Sequence, residues 1–295
     1  MNEIMNEIIN MHMIVRKYCI EKIDNFSEEL MKNYKRIFKI IEEIGQKEFN
    51  ESKDEGIINL IQNTTYNTCL KNIFKSFLIE IESFITNDYK LLEEFEVSLI
   101  NVIESSTVKS NTIYCYPNYN EEEKRLSIIS KQQLISYIKS IDKEKLNYVE
   151  PIFYRRVLAE NEIDYIEEKV RDKWGIENFA DPFTGSHRDD VIVFKEKFFY
   201  DNINFLKLQS ALKNLGEEKI YEINITDPAS YIMEISAFAI FKQDGETCLE
   251  GFWCSPKMEW IIYKSHENTI SIGGKMLIDE VKTLIGSWKD GVFIY

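Results

Sequence analysis

Two short polar stretches hold the residues best equipped for chemistry. The run Thr184 to Asp190 (TGSHRDD) places His187, Asp189 and Asp190 in one loop ahead of a strand, and an imidazole beside two carboxylates can bind a divalent cation or share a proton. The run Ser265 to Asn268 (SHEN) joins the last two predicted strands and contributes His266 and Glu267. Should both loops lie at the same sheet edge, these five residues would form a metal-binding, hydrolytic cluster. Solvated turns whose carboxylates bond the local backbone account for the same residues. The third histidine, His12, lies between Met11 and Met13 on the first predicted helix and reads as a surface or boundary residue.

Recognition is the other chemistry on offer. Phe252, Trp253, Trp260 and Tyr263 crowd the last strands. Trp253 and Trp260 could line a ligand pocket or a partner-facing patch, because indole combines a large apolar area with a polar tip. A small sheet also needs such bulk for its core. Gly273-Gly274 ahead of a helix offers free amides to an anion, yet neither GxxxxGK[ST] nor GxGxxG occurs, so close packing at a strand-to-helix corner is the better reading. GxSxG is missing too, and no cofactor is expected.

Charge narrows the partners. The net charge of −14 is shared by both halves of the chain, with no basic tail. A phosphate backbone or an anionic membrane needs converging lysines and arginines, so both are disfavoured. A basic protein partner fits the sign. Cys19, Cys69, Cys115, Cys248 and Cys254 are scattered and include no CxxC pair, which predicts reduced, mostly buried thiols. Glu3 and Glu7 stand where a secretory leader would be basic, and no run of eighteen apolar residues appears. A cytoplasmic protein is expected.

The elements that would position these residues change character along the chain. The first 116 residues hold no proline and two glycines, Gly45 and Gly56, as long helices require. Apolar stripes at three-to-four spacing run from Ile4 to Tyr18, Leu30 to Ile44, Leu70 to Ile85 and Leu92 to Ile103. Ser27 reads as a start and Gly45 as a stop, giving four helices in an antiparallel bundle. Asn111–Asn120 reads as a linker, and Ser130 to Ile141 as one more helix. From Glu150 onward strands and helices alternate, ending in an expected four-stranded meander. Its first two strands, Tyr231–Lys242 and Glu246–Trp253, flank an Asp244-Gly245 hairpin turn.

The prediction is an α+β protein: an N-terminal helical bundle followed by a mixed, largely antiparallel sheet with helices packed on it. The expected divisions are a helical domain at 1–110, a linker and connecting helix at 111–149, and an α+β domain at 150–295. Functionally this points to a non-enzymatic protein-binding module, an inhibitor or immunity-like protein of bacterial type with a basic partner. The alternative is a metal-dependent hydrolase using His187, Asp189, Asp190, His266 and Glu267. A homodimer through the helices is compatible with the pattern.

Overall fold

With no proline or glycine to interrupt it, the opening segment forms one helix, α1 (Glu3–Ile44, 42 residues). This replaces the two helices expected there. Ser27 is buried inside α1 instead of capping a start, because the apolar stripe continues in phase through Cys19, Ile23, Phe26 and Leu30 and extending a helix costs less than nucleating another. Gly45, at φ 85°, ends it and donates its N–H to the Ile41 carbonyl at 2.8 Å. The structure, a computed structural model, describes residues 3–108, 119–175, 189–225, 229–240 and 250–293. The expected linker falls almost wholly outside that range, as does the Asp244-Gly245 turn.

The chain divides into two compact units, Met1–Ile152 and Phe153–Lys242 with Glu246–Tyr295. In the first, α1 is followed by α2 (Gln46–Glu51), α3 (Glu55–Glu82), α4 (Leu92–Ser105) and α5 (Tyr119–Lys139). Asp54 caps α3 by accepting the amides of Gly56 and Ile57. Helices α1 and α3 run antiparallel: His12 and Arg16 meet Ile81 and Glu82, while Phe26 meets Phe74. Their facing stripes, Met11–Val15–Cys19 and Ile73–Phe77–Ile81, share one core with Phe95 and Leu99 of α4 and Leu134 of α5. His12, read as a surface or boundary residue, packs edge-on against Phe95 of this core and is 9% exposed.

The second unit is a seven-stranded sheet whose described pairings are all antiparallel. In chain order its elements are β1 (Arg155–Val157), α6 (Glu160–Trp174), β2 (Val191–Lys195), α7 (Asn202–Asn214), β3 (Lys219–Asn224), β4 (Tyr231–Glu234), β5 (Gly251–Cys254), β6 (Ile261–Lys264), β7 (Thr269–Gly273), α8 (Lys275–Leu284) and α9 (Trp288–Gly291). The spatial order is β1-β4-β3-β5-β6-β7-β2. The α+β class is therefore that of the molecule. Strand alternation divides the core in two. Trp253, Ile262 and Ile272 join Leu208 of α7 and Leu277 of α8 on one face, while Phe252, Ile261 and Tyr263 join Ile166 and Val170 of α6 on the other.

One expectation about the sheet is corrected. β4 and β5 do not form a hairpin: β3 lies between them. The strand predicted from Tyr231 to Lys242 ends at Glu234, where a 3₁₀ turn, Ile235–Ala237, leads the chain off the sheet. The consecutive meander is β5, β6 and β7. Gly251 permits the β3–β5 contact, since a Cβ there would run into the Ile223 carbonyl.

Candidate functional site

The β2–β7 ladder decides the fate of the predicted cation site. Val191 pairs with Gly273 at one end and Lys195 with Thr269 at the other. Asp190 continues the first end, its carbonyl accepting the Gly274 amide at 2.9 Å. His266 and Glu267 precede Thr269, beyond the second end. At about 3.3 Å per residue the two groups lie roughly 20 Å or more apart. Asp189 and Asp190 are therefore not brought to His266 and Glu267, because the strands between them are antiparallel. His187 lies outside the described residues. Among the described residues, no group of three His, Cys, Asp or Glu side chains is placed to hold a metal ion.

Trp253 and Trp260 are each 1% exposed and packed in the core under α7 and α8. Neither lines a partner-facing patch. Their indole nitrogens make no hydrogen bond, so bulk is their role. A sequence shows an aromatic strand but not which of its faces a helix covers.

His266 does find a partner that spacing could not reveal. Its Nδ1 lies 3.1 Å from Glu250 Oε1, and the same oxygen accepts the Tyr263 hydroxyl at 2.6 Å. The imidazole is 54% exposed while the carboxylate is 12% exposed. The hydrogen bond to Glu250 raises the His266 pKa, favouring imidazolium. Next along β6, Lys264 turns to the opposite face and forms a buried ion pair with Glu196 at 3.1 Å. This end of the sheet is rich in fixed charge, and most of it is already paired.

A further row of exposed acids lies on α6. Glu160, Asp164, Glu168 and Asp172 recur every four residues and all are exposed. Four residues of helix rise about 6 Å, so they form one ridge. Among the described residues none of the four sits in an ion pair within 4.0 Å. Of the helix's cations, Arg171 exerts its field on Glu167 and Lys169 lies 5.5 Å from the Tyr165 ring. Like charges at this spacing repel, costing about 0.2–0.5 kcal/mol per pair. The helix keeps an arrangement that does not help it fold.

Alongside the ridge runs a groove of about 380 Å³ lined by Leu158, Asn161, Glu162, Tyr165, Ile166 and Tyr221. Tyr165 is 57% exposed. Arg156 grips Glu162 from β1 with two hydrogen bonds of 2.8 and 2.7 Å. Glu162 also accepts the Ala159 amide at 2.9 Å, tying down the start of α6. The bond from Arg156 holds the Glu162 carboxyl below its usual range, and burial pushes the Tyr221 phenol up. Sequence reasoning missed this surface, although the four-residue recurrence of acids was there to be read once α6 was assigned.

Comparison with protein-family models, curated proteins and solved structures finds no match. Among the described residues, no helix is long and apolar enough to cross a membrane.

Proposed function

We propose that this chain is a protein-binding module of the inhibitor or immunity-like kind, and that α6 carries the surface that meets a basic partner. The observation behind this reading is the self-repelling ridge Glu160–Asp164–Glu168–Asp172, exposed and unneutralised beside the exposed ring of Tyr165. A partner bearing lysine or arginine at matching intervals would relieve that repulsion on docking and would be steered towards it by long-range attraction. Tyrosine is among the residues enriched at binding hot spots, and a charged surround steers the approach of an oppositely charged partner.

Neutralising Asp164, Glu168 and Asp172 together (D164N/E168Q/D172N) tests the reading. The triple variant should fold at least as well as the parent, because it removes repulsion and one acid from the negative end of the helix. It should nevertheless fail to retain a basic protein that the parent captures stoichiometrically at low salt and releases at high salt. Recovery of no such protein by the parent at low salt would defeat the proposal.

A further inference from the structure

Resting on that reading, we infer that the groove between α6 and β3 is an anchor pocket for one apolar side chain, presented by a lysine- or arginine-rich segment of the partner. Two properties of the surface separate anchor from frame. Inside the groove the only carboxylate in the lining, Glu162, is held by both terminal nitrogens of Arg156 and by the Ala159 amide. Its charge is compensated and its hydrogen-bonding capacity largely used, so a cation entering the groove gains little and loses water. Leu158 and Ile166 floor the space, and the tyrosines at 165 and 221 wall it. An aliphatic or aromatic group entering there removes apolar area from water at both surfaces.

Just outside, the sign is unambiguous. Asp164 and Glu168 flank Tyr165 in sequence, with Glu160 and Asp172 extending the line by a turn at each end. Carboxylates about 6 Å apart match basic residues at every fourth position of a helix or every second position of a strand. The pocket therefore selects for shape and apolarity while the ridge selects for charge. The volume suits a side chain or a small ligand, being near the low end of such cavities.

The full chain can be tested with two synthetic peptides of identical lysine and arginine content, one carrying a central tryptophan and the other serine there. Fluorescence anisotropy should show the tryptophan peptide binding at least tenfold tighter, with the preference surviving in salt that weakens both. Tyr165→Ala should erase most of the preference. Asn161→Trp, a second change at an exposed position, should do the same by filling the mouth of the groove, and D164N/E168Q/D172N should weaken both peptides alike. Equal binding of the two peptides would overturn the anchor pocket and leave the basic-partner reading standing. A preference untouched by both groove variants would overturn it too. Failure of both peptides, with a basic protein still captured by the parent, would end the inference alone; failure of the capture as well would end both.

Discussion

His266 and Glu250 stand sixteen residues apart in sequence, and their side chains meet, Nδ1 to Oε1 at 3.1 Å, where β5 begins and β6 turns into β7. The carboxylate also holds the Tyr263 hydroxyl, so it is fixed before the imidazole reaches it. Such a carboxylate orients the ring with Nδ1–H towards it and leaves the other nitrogen to solvent.

The consequence is a histidine that stays protonated to higher pH than a free one. The bond to Glu250 is the largest cause, followed by the charge of Glu250 and, after a small opposing effect of burial, that of Glu267. Because the native pKa is raised above 6.5, the native chain binds the extra proton. The stability this contributes is complete below pH 6.5 and fades as pH rises through the native value. An NMR titration should place the His266 midpoint above that of a model imidazole, and Glu250→Gln should return it towards 6.5. A midpoint unchanged by that substitution would show the contact to be without effect.

His12 behaves in the opposite sense. It is buried, its Nε2 donates to the Ile81 carbonyl at 2.8 Å, and the Phe95 ring packs on it edge-on. Burial, seconded by the charge of Arg16 and partly offset by the Ile81 carbonyl, lowers its pKa to about 4. The unfolded chain takes up a proton below pH 6.5 that the native chain refuses until about pH 4. At about 1.4 kcal/mol per pH unit this removes roughly 3 kcal/mol of stability across that window. Urea unfolding followed by the helical signal should show the loss, and His12→Gln should flatten that part of the pH profile whatever it costs at neutral pH.

How much of this was readable from the chain varies with the range of the interaction. Stripes such as Ile73–Phe77–Ile81 declare a helix because their period is local, and α4 lies close to where periodicity puts it, while α3 begins at Glu55, well ahead of the stripe that starts at Leu70. Asp244-Gly245 suggested a hairpin from local turn chemistry, but the neighbour of β5 is set by burial on both sheet faces, and β3 takes that place. His266 was singled out without its partner because Glu250 belongs to another strand. The α6 ridge was overlooked for another reason: acids on a helix look like solvation until they are known to form no ion pair.

Arg16 and Glu82 form a buried ion pair in the helical unit. Arg16 directs Nε and Nη2 at Glu82 Oε1, at 3.1 and 2.8 Å, with both side chains at most 3% exposed. Removing one partner of a buried ion pair is strongly destabilising, so Glu82→Leu or Arg16→Met should each cost about 3–5 kcal/mol. The double variant Arg16→Met/Glu82→Leu should cost less than the sum and could match the parent. A thermodynamic cycle on the urea midpoints gives the coupling directly. An additive double variant would mean that the pair acts as two separate residues.

Gly251 allows the sheet order to be tested from the side of the backbone. It pairs with Asn224 on β3 and Lys264 on β6, and any Cβ would press on the Ile223 carbonyl, which is main chain and cannot swing aside. Gly251→Ala should therefore spread β3 from β5 and cost about 1–3 kcal/mol, the range of overpacking. Gly286, in the turn after α8, has nothing within 4 Å of the same added atom. There Gly→Ala should be neutral or stabilising by about 0.4–1 kcal/mol, through lost freedom in the unfolded chain. Melting curves of the two variants should therefore move apart. Equal shifts would mean that β5 does not lie closely against β3.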